Sequence, residues 1–302
     1  MSIPIVYHPD YVTPLPDAHR FPMAKFRLLH DLLLADGVVT ADRVFTPNIP
    51  PTEWLELVHD PAYIQAYYTG TLDPKAQRRI GLPWSAELVN RTRIALGGSI
   101  LTAKLALEYG IACNTAGGTH HAFANYGSGF CIFNDLAIAA RVLQQLGLVK
   151  QILIIDLDVH QGDGTAAIFR HDPSVFTFSM HCEVNFPGTK QISDLDIPLR
   201  EGMEDTEYLQ TLTEYLPGLL DQVRPDLVLY DAGVDPHISD RLGKLALTDA
   251  GIFQRDFQVL DTCVSQGYPV ACVIGGGYAE DMNSLVYRHS LLYRAASKVY
   301  MG

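Results

Sequence analysis

The sequence offers no cysteine framework. Its five cysteines, Cys113, Cys131, Cys182, Cys263 and Cys272, are odd in number, widely spaced and without a C-x-x-C pair. That excludes a disulfide scaffold and a cysteine-built structural zinc site, and leaves them as small buried or half-buried thiols. No apolar stretch approaches the length of a membrane span, and residues 1–19 lack a basic start followed by an apolar run, so a cytoplasmic chain with no membrane partner is expected. Positive charge is scarce: 22 Lys and Arg against 34 Asp and Glu give a net charge of −12. This disfavours nucleic acid and anionic lipid as partners and favours a cationic substrate. Linkers rich in Ser and Gly, charge runs, low-complexity segments and internal repeats are also missing, so one domain over residues 1–302 is expected.

What is present is ample apolar content, 48% of 302 residues, arranged in short continuous runs that end in Gly, Asp or His. Residues 111–116, 152–158, 175–180, 227–231 and 270–274 each have the length of a strand buried on both faces of a parallel sheet. Helical periodicity falls between them. Asn134 is placed to cap a helix with Leu136, Ala139, Leu143 and Leu146 on one face, and residues 205–223 repeat the pattern with Leu209, Leu212, Leu216 and Leu219. Residues 22–35, 86–109, 248–266 and 280–299 are further helices by the same test. Alternating strands and helices specify an α/β fold with helices on both faces of a mainly parallel sheet, in which ligands bind beyond the carboxyl ends of the strands.

Polar residues gather at those ends. Asp156, Asp158 and His160 follow an apolar run at alternate positions, so in an extended strand they project to one side. Adjacent buried carboxylates raise each other's pKa, and a metal ion relieves that cost. Asp235 lies just beyond the run at 227–231, and Asp158, His160 and Asp235 then offer three mixed oxygen and nitrogen ligands with a fourth position open to water, the pattern of a catalytic zinc site. Gly117 and Gly118 precede His120 and His121, and they allow the loop that lets both imidazoles reach one site. A lone histidine there is more often a core or surface residue; two beside a metal site reverse that expectation. Gly275, Gly276 and Gly277 permit close backbone approach before Tyr278, whose hydroxyl suits an oxyanion. The G-x-S-x-G elbow, the phosphate-binding G-x-x-x-x-G-K-[ST] loop and the H-E-x-x-H helix are absent, leaving metal-activated water as the expected nucleophile.

Together the His120-His121 pair, the run Gly129-Phe130-Cys131-Ile132-Phe133-Asn134-Asp135, the segment from Asp156 through Asp158 and His160 to Asp163-Gly164, the Ala232-Gly233-x-Asp235 turn and Gly275-Gly276-Gly277-Tyr278 resemble the histone deacetylase family. His19-Arg20-Phe21-Pro22-Met23 and Asp240-x-Leu242-Gly243 are similar to its class IV branch and bacterial relatives. The resemblance implies the single-domain arginase/deacetylase fold and zinc-dependent deacylation of acyl-lysine. By the same resemblance, Asp158, His160 and Asp235 bind zinc, for which iron(II) is an alternative. His120 pairs with Asp156 and His121 with Asp163. His121 is the implied general base and Tyr278 the oxyanion donor. Gly129, Phe130, Phe186 and Gly276 are implied around the substrate, and a potassium ion at Asp156, Ser179 and Met180.

The short segment 182–188, with one aromatic, departs from the best-known members and suggests a shorter tunnel wall open to long acyl chains or small substrates. Small acylated amines such as acetylpolyamines are the alternative substrate class. A binuclear ureohydrolase of the same fold is disfavoured because Gly162 and Gly233 stand where it needs carboxylates, and an acyl-lysine reader because Tyr278 and both histidines are retained.

Overall fold

The computed structural model describes residues 2–17 and 19–301. Eight strands form one sheet: β1 (Ile5–Val6), β2 (Val44–Phe45), β3 (Ile111–Asn114), β4 (Ile152–Asp156), β5 (Val175–Cys182), β6 (Leu195–Leu199), β7 (Leu227–Gly233) and β8 (Val270–Gly275). Their order is β2-β1-β3-β8-β7-β4-β5-β6, and every pairing is parallel. The five runs expected to be strands are β3, β4, β5, β7 and β8. Their residues are almost all fully buried, as a sheet covered on both faces requires.

The order matters more than the count. After β3 the chain skips two positions to build β4, β5 and β6, and then returns through β7 and β8 to fill the gap. The four strand ends that carry the polar residues, those of β3, β8, β7 and β4, thereby become immediate neighbours. Ligand sites in open parallel sheets form at such places.

Helices flank this sheet. Ala86–Tyr109 and Asp135–Gln145 pack together, while Asp249–Ser265 packs on both Met282–Met301 and Asp205–Val223. Asn134 caps its helix as expected, its side chain accepting from the N–H of Ala137 at 3.0 Å. Leu146 departs from the expected face: it is the C-cap residue and 45% exposed, because the helix has ended. The helix expected from residue 22 begins at Lys25, and the one expected from residue 280 begins at Met282, after the Asp281 carboxylate takes the N–H groups of Asn283 and Ser284. All five cysteines are buried and free. Among the described residues, no helix is long and apolar enough to cross a membrane.

Candidate active site

Strand β4 ends at Asp156, so the strand alternation expected to run on to His160 stops there. Residues 158–160 form a bend folded around carboxylates: Asp158 N–H donates to Asp156 Oδ1 at 3.1 Å and His160 N–H to Asp158 Oδ1 at 2.9 Å. The three side chains still converge, but into two adjoining clusters. In one, Asp158, His160 and Asp235 bring their donor atoms within 4.8 Å of one another. His160 Nδ1 is 2.9 Å from Asp158 Oδ1 and 3.2 Å from Asp235 Oδ2.

These residues suit a divalent ion. Asp235 is fully buried, yet its Oδ2 has no hydrogen-bond partner among the described residues. Its carboxyl is held above the usual range by burial and by Asp158. Burial opposes charge on His160, but the Asp158 and Asp235 carboxylates beside it outweigh this and lift its pKa to about 10. The two carboxylates and the imidazole thus crowd opposite charge preferences into one buried spot, which a bound cation would balance. Two carboxylates and an imidazole are the donor set of a catalytic zinc or iron(II) site. Gly276, at φ +54°, closes it: a Cβ there would lie 2.2 Å from Asp235 Oδ2.

The glycine loop after β3 brings both histidines to this cluster, with ring centroids 4.1 Å apart. Each bonds a different carboxylate through Nδ1: His121 to Asp163 at 2.6 Å, and His120 to Asp156 at 2.7 Å. Their surroundings drive them apart. Burial, with the neighbouring His120 and His160, pushes His121 well below the usual histidine range. Burial also opposes charge on His120, but Asp156 and Asp158 outweigh it and hold that imidazole well above the range. Asp231 adds to this, 3.8 Å from His120 Nδ1. The two imidazoles are thus pushed in opposite directions, His121 toward its neutral form and His120 toward its charged form.

Tyr278 lines the same cleft, and burial beside Asp235 keeps its hydroxyl protonated. Its backbone N–H donates to Asp240 Oδ2 at 2.7 Å. Asp240 also accepts from the N–H groups of Leu242 and Gly243, tying the tyrosine loop to the segment after β7. The cleft, of about 440 Å³, has Phe130 and Phe186 as aromatic walls and is also lined by Gly129 and Gly276. Phe186 stands edge-on to His121, with centroids 4.8 Å apart, and remains 46% exposed. All the expected catalytic, metal and substrate positions thus meet in one place.

The family model described as a histone deacetylase domain matches residues 19–292. The chain belongs to the histone deacetylase family. An uncharacterized protein of Picosynechococcus sp. is 68% identical over 300 residues, covering 99% of this chain and 100% of its own. The acetoin utilization protein AcuC of Bacillus subtilis is 30% identical, with 90% of this chain and 76% of its own length aligned. Among solved structures, a deacetylase homolog from Aquifex aeolicus superposes with a TM-score of 0.82 at 24% identity, over 99% of this chain and 84% of that one, a likeness of fold. Membership carries the coarse chemistry, hydrolysis by a deacetylase with an acylated substrate.

Within the family fold, several supporting residues escaped the sequence reading. Asp231 lies directly across from Asp156 in the β4–β7 register, is fully buried, and has no hydrogen-bond partner for either carboxylate oxygen among the described residues. Burial and Asp156 drive its pKa well above the carboxylate range. Arg255 Nη1 donates to the carbonyls of Leu157, at 3.1 Å, and Gly233, at 2.6 Å, joining the backbones that carry Asp158 and Asp235. Buried Lys25 donates to the Gly276 carbonyl at 2.5 Å. The Ser179 hydroxyl, at the position implied for a potassium ion, lies 2.9 Å from His181 Nδ1. Gly162 and Gly233 are closed to further carboxylates, since a Cβ at these positions would lie 2.2 Å from Asp156 Oδ2 and 2.6 Å from Asp158 Oδ2.

Proposed function

We propose that the protein hydrolyses the amide between an acyl group and a lysine side chain of a peptide or protein, using a zinc or iron(II) ion held by Asp158, His160 and Asp235. The observation that carries this reading is the convergence of those three donors beside the paired imidazoles of His120 and His121, at the floor of an aromatic-walled cleft. When bound, the ion supplies Lewis acidity, polarising the amide carbonyl and acidifying water.

The residues of the chain do the rest. Asp163 holds His121 as the Nδ1–H tautomer, leaving Nε2 free to accept the proton of the attacking water. As the water oxygen bonds to the carbonyl carbon and the C–N bond breaks, the same nitrogen delivers that proton to the leaving amine. His120, bonded to Asp156, is held toward its charged form and orders the site electrostatically. Tyr278, protonated, donates to the carbonyl oxygen as negative charge develops there. Phe130 and Phe186 enclose the aliphatic stem, which acylation has stripped of its charge, with Gly129 and Gly276 beside it.

A potassium ion is proposed at Asp156, Ser179 and Met180. Burial lowers the pKa of His181 to about 4, and its Nδ1 lies 2.9 Å from the Ser179 hydroxyl, so no imidazolium charge opposes a cation there at neutral pH. The His19–Met23 and Asp240–Gly243 motifs favour the class IV branch.

The test is a panel of acetyl-lysine and longer acyl-lysine peptides together with acetylputrescine and acetylspermidine, assayed on metal-analysed protein. Turnover of the peptides supports the lysine reading. Turnover confined to the small amines replaces it, and none with a full metal complement removes the catalytic reading.

A further inference from the structure

Although the chain carries a net charge of −12, the mouth of the cleft is basic. Its lining includes Arg20, Arg79 and Lys244, and among the described residues its only carboxylates are Asp158 and Asp235, both buried at the floor. The three cations come from different parts of the chain: the segment before the first helix, the Pro74–Ile80 helix and the loop after β7. Each is exposed.

Two of them are held ready. The Arg20 guanidinium lies 4.9 Å from the centroid of the Phe130 ring, the aromatic wall of the cleft, and Arg79 lies 4.6 Å from that of Tyr126. Stacking fixes the plane of a guanidinium and leaves its N–H edge free for a carboxylate. Among the described residues neither forms an ion pair, whereas the exposed Arg200 pairs with Glu207 and Arg241 with Glu280. Lys244 has Glu201 at 3.9 Å, a loose pairing. Beneath the rim, the Lys190 ammonium donates at 2.7 Å to the carbonyls of Asn185 and Pro187, adding positive charge to the segment that carries Phe186.

The range of each charge decides which sign a substrate meets. Surface charges are screened beyond about 8 Å at physiological ionic strength, so groups flanking the scissile amide feel the rim more than the acidic surface beyond it. At the rim Glu201 partly offsets Lys244, but Arg20 and Arg79 have no such partner among the described residues. We propose that Arg20, Arg79 and Lys244 select acyl-lysines flanked by acidic residues, and that the site disfavours both lysine- and arginine-rich tails and polyamines. The cationic-substrate preference drawn from net charge is reversed at the one place where substrate binds. This inference rests on the deacylase reading above and names its substrate class.

The experiment uses one acetyl-lysine peptide with Asp, Gln or Lys at the flanking positions, each measured at low and high salt. The acidic peptide should exceed the basic one by about tenfold or more in kcat/KM, mainly through KM, with the ratio collapsing at high salt. The Arg20→Gln and Arg79→Gln variants should shrink that ratio, and Glu201→Gln, which frees Lys244, should widen it. Because the ratio compares substrates on one protein, a general loss of folding or activity cannot imitate its collapse. Equal rates, or a basic preference, with the neutral peptide still hydrolysed, overturn the acidic selection alone. Failure to hydrolyse any of the three peptides overturns the lysine reading and this inference together.

Discussion

His121 Nδ1 and Asp163 Oδ1 lie 2.6 Å apart in a buried pair whose members are both shifted toward their neutral forms. Burial raises the Asp163 carboxyl to about 6 and holds His121 well below the usual histidine range. Around neutrality the carboxylate therefore accepts from an uncharged imidazole. As pH falls, Asp163 takes a proton before His121 does, and the base loses the negative charge that strengthens its Nδ1–H bond and supports its basicity. The kcat/KM profile is expected to fall on the acid side through about pH 6. In Asp163→Asn that limb should disappear, with a loss of about 10²-fold or more at neutral pH. A limb that persists in the variant, at the same pH, assigns it to another group.

Tyr278 is reached through Asp240, which holds its backbone N–H, so the hydroxyl is removable without disturbing the loop. Tyr278→Phe should lower kcat by about 10²–10³, equivalent to ~2.7–4 kcal/mol, with KM and bound metal nearly unchanged. Wild-type turnover in this variant would refute the donor role. A fall in metal content instead makes the residue a support for the metal cluster.

Much of this was readable from the chain because the central strands are buried on both faces and announce themselves as apolar runs, each with its polar residues at the carboxyl end. The edges of the sheet were not readable. β1 and β2 have two residues each, too few for any periodicity, and β6 contains Pro198 and is mostly half-exposed, so its pattern argues against a strand. Asp231 stood inside a recognised run, yet its meaning depends on β7 lying beside β4, a pairing of residues as distant in sequence as Asp156 and Asp231. The extended reading of Asp156, Asp158 and His160 found the right residues by the wrong geometry, because a carboxylate can bend the backbone that follows it.

Arg255 shows the same limit. On the helix Asp249–Ser265 it reads as one more polar position, but it is fully buried, paired with Asp256 at 2.8 Å and bonded to the carbonyls of Leu157 and Gly233. Removing one member of a buried ion pair costs about 3–5 kcal/mol. Arg255→Met should lower stability by that order in urea titration and weaken metal retention, since β4 and β7 lose their clamp. Arg255→Lys should not restore metal retention, because an ammonium cannot span two carbonyls and Asp256 in the guanidinium's planar geometry. Full metal content in both variants would separate the clamp from the metal site.

Gly276 joins the metal cluster to the oxyanion donor. Its φ of +54° is costly for any residue with a side chain, and a Cβ there would lie 2.2 Å from Asp235 Oδ2. The neighbour cannot easily yield, because Asp235 is fully buried and its Oδ1 accepts from Val159 N–H at 2.9 Å. Gly276→Ala should therefore lose metal as well as turnover, unlike Tyr278→Phe. Thermal melts with and without zinc supply the second readout. Saturating metal at 100 times its Kd stabilises a native site by about 2.7 kcal/mol, so the wild-type midpoint should rise with zinc and that of the variant should move far less. An undiminished zinc-dependent rise in Gly276→Ala would mean that the loop relaxes away from Asp235, and that the glycine serves the tyrosine alone.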